Sequence, residues 1–251
     1  MSEPDMPVPV LIIGGGPVGL ALSIDLGWRG VECMMIERRD GSVGHPKMNQ
    51  VGNRTQEFCR RWGLGQKVRE LSIPEDFPRN IHFLTTVTGY ELGRYEFPAR
   101  EDVVQPYSPE FLQRCSQLWF DPLLRDFAGK MPNVTQMFNM QLDHFDQNGS
   151  GVTAYVTDKE SGVEKKICAQ YMVACDGAES KVREKLDVTM IGDHVMSFNI
   201  NVFFKSTRHD VLFSKGRATM QWMFDKDGMW ADMVSINGKE FWRLSIMKLP
   251  V

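Results

Sequence analysis

This sequence lacks an uninterrupted apolar run long enough to cross a bilayer, a surplus of positive charge, and any cysteine pair spaced for metal or redox chemistry. The five cysteines, Cys33, Cys59, Cys115, Cys168 and Cys175, contain no C-x-x-C, and their odd number argues against a disulfide framework. Buried, reduced thiols in a cytoplasmic protein are the expectation. The five histidines do not fall beside cysteines at metal-ligand spacing, so no metal site is expected. Lysine and arginine number 29 against 32 aspartates and glutamates, a net charge of −3, which argues against a nucleic-acid binder. The opening MSEPDMPVP is acidic and proline-bearing, unlike a signal or transit peptide. Glycines, Pro17 and Asp25 break the apolar stretch from Leu11 to Leu26, so no membrane span is expected. Internal repeats and low-complexity segments are also missing.

What is present fits a packed, soluble chain. Hydrophobic residues make up 42% and charged residues 24% of 251, enough for one large domain or two small ones. Sixteen methionines stand out, as core gap-fillers or as an adaptable wall for a planar ligand. The stretch from Val8 to Glu37 organises the rest. Val10–Ile13 reads as a buried parallel strand, and Gly14, Gly16 and Gly19 then fill G-x-G-x-x-G. Leu20, Leu22, Ile24 and Leu26 mark an apolar helix, and Val31–Ile36 is a second strand ending at Glu37, eighteen residues after Gly19. The first glycine permits a tight turn, the second lets a pyrophosphate approach the backbone, and the third lets helix and strand pack closely. The helix N-terminus offers N–H groups and a positive dipole end, and the acid can bind ribose hydroxyls. A dinucleotide is therefore expected, FAD or NAD.

Further along, Arg38–Gly52 is a polar loop at the carboxyl edge of the sheet, where doubly wound folds bind ligands. Asn53 is placed to cap a helix that Gly63 ends, with Phe58 and Trp62 on one face. Residues 81–97 read as two strands around a turn near Thr88–Gly89. Pro109 is placed to open a helix running from Glu110 to about Phe127, bent or divided by Pro122. Short strands are expected at Val134–Phe138, Gln141–Phe145, Val152–Thr157, Glu164–Ile167 and Tyr171–Ala174. The last of these ends at Cys175-Asp176-Gly177, and a helix follows from Ser180 to Leu186. From Val188 the texture becomes β-rich, with strands at Phe198–Phe204, Ala218–Phe224, Trp230–Ile236 and Phe241–Met247. Asp227-Gly228 and Asn237-Gly238 supply hairpin turns.

GGGPVG, Glu37-Arg38, HPKMNQVGNRTQEFCRRWGL and CDGAESKVRE together resemble the flavin-dependent aromatic hydroxylases, single-component FAD monooxygenases with the p-hydroxybenzoate hydroxylase fold. The likeness is greatest to the phenol and hydroxyphenylpropionate hydroxylase branch, which includes polyketide hydroxylases. The resemblance implies an α/β fold, a Rossmann-like FAD-binding domain with an added, mostly antiparallel substrate sheet. It divides the chain into FAD-binding parts at 1–76 and 105–187, a hairpin at 77–104 that joins the substrate sheet, and that sheet at 188–251. Family members are longer and carry a third motif, Gly-Asp with a downstream proline. Gly192-Asp193 lacks that continuation, so the chain resembles the N-terminal half, with the sheet incomplete.

The resemblance also implies roles. Gly14, Gly16 and Gly19, with Pro17 and Val18 between them, would face the FAD pyrophosphate. Glu37 would bind the adenosine ribose, with Arg38 near the adenine. Lys47 stands where the branch usually has an arginine that contacts the cofactor, and a lysine keeps the charge without the planar fork; Met48 follows it in the cofactor loop. Arg114 and Gln117 would reach the FAD phosphate and ribityl chain, as would Asp176 with Gly177. The loop Gly44–Gln50 would pass beside the isoalloxazine. Asn49 aligns with a catalytic aspartate; an amide cannot act as a base but can orient a phenol or a water. His45 is the other candidate catalytic residue, with a solvated loop histidine as the alternative. Gln221 and Met223, sharing a strand face with Thr219, would look into the substrate pocket, a sheet-core position being the alternative for Met223.

The implied reaction hydroxylates a phenolic or aromatic substrate with O₂ and NADH or NADPH through a flavin C4a-hydroperoxide. A non-catalytic FAD-binding fragment, a Baeyer–Villiger enzyme or a reductase on the same fold are the alternatives. A homodimer is a family-level expectation.

Overall fold

The computed structural model describes residues 8–98, 102–103, 105–193 and 197–249. The N-terminal residues 1–7 and part of the expected 77–104 segment lie outside these. In chain order the elements run β1 (Val8–Ile13), α1 (Pro17–Trp28), β2 (Cys33–Ile36), α2 (Asn53–Arg61), α3 (Gly65–Glu70), β3 (Ile81–Leu84) and β4 (Glu91–Tyr95). Then come α4 (Gln117–Ala128), β5 (Val134–Met137), β6 (Met140–Asn148), β7 (Gly151–Asp158), β8 (Glu164–Ala174) and α5 (Lys181–Lys185). The chain continues through β9 (Phe198–Lys205), α6 (His209–Leu212), β10 (Met220–Asp225), β11 (Gly228–Ser235) and β12 (Phe241–Leu249). They form two compact units, Met1–Gly44 with Gln117–Ile191, and His45–Ser116 with Gly192–Val251. The second unit thus takes 45–76 and 105–116, which the sequence reading placed with the FAD-binding part.

The first unit holds a six-stranded sheet in the order β5-β2-β1-β8-β7-β6. β1 is central because both its faces are apolar: Leu11 and Ile12 are fully buried. It pairs parallel with β2 and with the second half of β8. One face buries Leu11, Ile13, Ile36, Phe145, Val156, Ile167 and Val182 in a common core. Helix α1 packs on β1, β2 and α4, and Gly27 is needed there, since a Cβ would lie 2.6 Å from Val134 Cγ2. The two expected strands Glu164–Ile167 and Tyr171–Ala174 are one continuous strand. β8 pairs antiparallel with β7 up to Ala169 and parallel with β1 from Ala169 to Ala174, so the partner changes while the strand continues. Burial pushes the Cys33 thiol up to about 11, which keeps it protonated.

The second unit holds a six-stranded sheet ordered β4-β3-β10-β11-β12-β9, antiparallel except for the β3–β10 pair. In this sheet β3 pairs with β4 on one side and with β10 on the other. One sheet face buries Leu84, Met223, Met233 and Trp242 with Leu212 of α6. Trp242 Nε1 donates to the Ser206 carbonyl at 3.0 Å, so the ring is buried without stranding its donor. On the other face Phe83 packs on Trp222 and Phe224.

Three helix expectations need correction. Helix α4 starts at Gln117, not Glu110, because Gln113 exchanges both backbone hydrogen bonds with Val51 (2.7 and 2.9 Å) and the Arg114 carbonyl accepts from Ile73 N. Those extended partners take the groups that a helix would use. Pro122 does not divide α4, whose residues Phe120, Leu124 and Ala128 are buried on either side of it. Gly52, not Asn53, is the N-cap of α2; Asn53 is the first helical residue, and its Nδ2 donates to Gln105 Oε1 at 2.7 Å. The short helices α3 and α6 had no clear sequence signal. Among the described residues no helix is long and apolar enough to cross a membrane.

In the β11–β12 turn one side chain accepts three backbone hydrogen bonds, while Ser235 Oγ accepts a fourth from Gly238 N. Asn237 Oδ1 accepts from the backbone N–H groups of Lys239, Glu240 and Phe241 at 3.0, 3.0 and 3.1 Å. Asn237→Ala is expected to destabilise the chain by about 2 kcal/mol, whereas Asn237→Asp, which keeps the acceptor, loses less. Urea unfolding checks this; equal midpoints for parent and alanine variant would rule it out.

Candidate functional site

The first unit gathers most of the residues singled out in the sequence. β1 ends at Ile13 and turns at Gly14, whose φ of +108° is open to glycine. A Cβ there would lie 2.4 Å from the Cys175 carbonyl oxygen. A Cβ on Gly19 would lie 1.9 Å from the Gly14 carbonyl oxygen. Gly16, the N-cap of α1, is different: a Cβ there would meet nothing within 4 Å. Two glycines are thus demanded by packing, and the third keeps space open in front of the helix. Pro17 follows in the first turn, where its missing N–H is no loss. Val18 is exposed beside it. No acidic side chain stands in the first turn to neutralise the helix dipole.

Two carboxylates stand at the ends of β2 and β8, the strands that flank β1. Glu37, after β2, accepts Gly15 N at 2.7 Å and Arg39 N at 3.0 Å, so both oxygens are held by backbone donors while lone pairs remain. A Cβ on Gly15 would lie 2.8 Å from Glu37 Cβ, a requirement the motif reading missed although the triple glycine signals it. Asp176, after β8, accepts from Val182 N through Oδ2 at 3.3 Å. Its Oδ1 is buried with no hydrogen-bond partner. Gly177 follows with φ +89°. Arg38 is exposed.

Gln117, the first residue of α4, donates through Nε2 to Asp121 Oδ2 at 2.8 Å. Asp121 was not foreseen. It is 5% exposed, and burial pushes its carboxyl up from 3.8 to about 6. An acid on an otherwise apolar helix face gives no sequence signal of its burial.

The second unit carries the other assigned residues. His45 and Lys47 are exposed; the His45 ring meets Phe203 edge-on at 6.4 Å. Met48 is half-buried. Both amide atoms of Asn49 are buried with no hydrogen-bond partner. Arg114 lines a cavity of about 880 Å³ within this unit, together with Arg79. Gln221 and Met223 lie on the buried side of β10. They are 3% and 2% exposed, Gln221 donates to the Leu212 carbonyl, and Met223 fills the sheet core under α6. The strand alternates as expected, but α6 covers the face assigned to substrate.

An open N-terminal cradle on α1 and an orphaned carboxylate oxygen beside it fit a phosphate-and-polyol ligand, and the flavin dinucleotide is such a group. A parallel strand, glycine turn and helix, with carboxylates at the ends of the two flanking strands, defines a dinucleotide-binding unit of the Rossmann class. The FAD binding domain family matches residues 7–249, and the chain belongs to that family. A putative polyketide hydroxylase of Streptomyces halstedii is 33% identical over 207 residues, 80% of this chain and 36% of that protein. The 4-methyl-5-nitrocatechol 5-monooxygenase of a Burkholderia species is 29% identical over 212 residues, 84% of this chain and 38% of that protein. Among solved structures, the flavin-dependent monooxygenase PieE, in complex with FAD and substrate, superposes with a TM-score of 0.88 at 25% identity. The match covers 99% of this chain and 44% of PieE. The chain spans well under half the length of these proteins.

The Asp121 geometry has a pH consequence. The unfolded carboxyl loses its proton near 3.8 and the folded one near 6, so stability falls as pH rises from about 4 to about 6 and stays reduced above. Asp121→Asn keeps an acceptor for Gln117 and carries no charge. It should match the parent near pH 4 and exceed it at pH 7 by an amount of order 3 kcal/mol. Thermal melts from pH 4 to 8 check this; a difference independent of pH would refute it.

Proposed function

We propose that the chain is the FAD-holding portion, with part of the substrate-binding sheet, of a monooxygenase that hydroxylates a phenolic or aromatic compound with O₂ and NADH or NADPH. The observation that carries this reading is the open face of Gly16 together with the unpartnered Asp176 Oδ1 beside the Gly14 turn. The membership in the FAD-binding family and the names of the relatives support it.

Bound FAD would supply the activation of oxygen, at the expense of the nicotinamide. The chain's own residues bind and orient. The N–H groups at the start of α1 meet the pyrophosphate, with Gly14, Gly16, Pro17, Val18 and Gly19 shaping the approach. Glu37, already oriented by Gly15 and Arg39, accepts ribose hydroxyls on its remaining lone pairs, and Arg38 lies toward the adenine. Asp176 Oδ1 gains a hydroxyl donor from the polyol chain, which relieves its desolvation. Asp121 holds the Gln117 amide in one orientation for the same ligand. In the second unit, Lys47 and Met48 belong to the cofactor loop. The Asn49 amide, with donor and acceptor both unmet, orients a phenolic hydroxyl or a water and takes no proton. His45, in the same loop, is the second candidate catalytic side chain.

FAD retention tests the reading. The purified chain, incubated with FAD and desalted, should keep flavin bands near about 375 and 450 nm. Gly16→Ala should fold with an unchanged melting temperature and lose the flavin, because its methyl enters only the open space. Gly19→Ala should lose both stability and flavin, because its methyl meets backbone. A colourless parent, or a Gly16→Ala chain that keeps its flavin, would defeat the assignment.

A further inference from the structure

The second unit carries a half-open cavity of about 880 Å³ lined by the loop Ile73–Asn80, residues 96–98 and the extended run Phe111–Arg114. Its lining carries two arginines, Arg79 and Arg114, and three acids. The Arg114 side chain is half-buried, and it donates to Met220 Sδ at 3.9 Å. Burial, together with the neighbouring cation Arg79, lowers the Arg114 pKa. Arg79 spends one N–H on the Pro98 carbonyl. No carboxylate among the described residues pairs with either guanidinium. The acids of the lining, Glu75, Asp76 and Glu96, are exposed, and Glu96 contacts Arg94 instead, at 3.9 Å. Arg217 adds positive charge over the Phe77 ring at 4.6 Å. Two half-buried cations side by side destabilise a site unless an anion joins them.

The rest of the wall describes the anion. Phe77, Phe97, Phe111 and Leu112 give the cavity aromatic and apolar surface, and its volume far exceeds an inorganic ion. Planar guanidinium forks match a carboxylate in two-point contact, and ring faces match an aromatic body. We propose that this cavity binds an aromatic carboxylate, with Arg79 and Arg114 sharing the carboxylate and the phenylalanines holding the ring. Arg114 is thereby reassigned from cofactor phosphate to an acidic substrate or product. The inference deepens the aromatic-substrate reading above and rests on it for the identity of the ring compound as a reactant, though not for binding itself.

The test uses the 251-residue chain and 6-hydroxy-2-naphthoate, a fluorescent phenolic acid, with 2-naphthol as the partner that lacks the carboxylate. Fluorescence titration should give saturable naphthoate binding and naphthol binding about tenfold weaker or more. Arg79→Gln and Arg114→Gln should each erase most of that preference. Arg79→Lys, which keeps a charge, should restore part of it, and circular dichroism melts report whether each variant is folded. Added FAD should leave naphthoate affinity unchanged, and Arg79→Gln should leave FAD retention unchanged. Equal affinity for naphthoate and naphthol, or a preference that survives both glutamine variants, overturns the proposal. Competition between FAD and naphthoate, or flavin loss in Arg79→Gln, also overturns it, since the cavity then belongs to the cofactor. A chain that binds naphthoate but not FAD sustains this inference while the monooxygenase reading fails; the reverse result separates them the other way.

Discussion

The close approach of three backbone segments at Gly14 and Gly19 is the constraint on which the first unit depends. The end of β1, the first turn of α1 and the end of β8 come so near that a methyl on either glycine would overlap a carbonyl oxygen. That proximity puts the helix N-terminus, Glu37 and Asp176 at one edge of the sheet. The other glycines of the motif serve different ends. Gly15 lets the Glu37 side chain lie against the turn, and Gly16 borders empty space. A single motif therefore mixes residues required by the fold with one kept for a ligand.

The two carboxylates of that edge differ in what they have already satisfied. Glu37 has a backbone donor on each oxygen and is oriented before any ligand arrives. Asp176 has one oxygen satisfied and one buried without a partner. Orientation without full satisfaction leaves free energy to be gained on binding, since a buried polar atom without a partner costs about 1–3 kcal/mol. The same pattern recurs in the second unit, in the Asn49 amide and in the Arg79–Arg114 pair. Each is polar, at least half-buried and incompletely paired among the described residues.

The second unit shows how a regular strand pattern leaves the direction of function open. β10 alternates as its sequence implies, with Gln221 and Met223 on one side and Met220 and Trp222 on the other. Alternation says that the sides differ but not which side a short helix will cover. α6 lies over the Gln221 side, and Arg114 stands by Met220 on the other. The run before α4 is a similar case. Pro109 and its apolar neighbours suit a helix, yet pairing of Gln113 with Val51, far away in the chain, keeps the segment extended. That extension places Arg114 in the cavity rather than on a helix.

By itself the sequence determined the strand, glycine turn, helix and acid of the first thirty residues of the fold, the Cys-Asp-Gly strand end and the hairpins of the last quarter. These follow from local backbone rules: positive φ at glycine, apolar strand runs, and turn residues such as Asn237-Gly238. Only the tertiary structure decided the continuity of β8, the start of α4, the burial of Asp121 and the meeting of Arg79 with Arg114. Each of these depends on which distant segment supplies a hydrogen-bond partner or shuts out water. Burial and like-charge proximity are properties of contacts between segments, and residue order along one segment does not encode them.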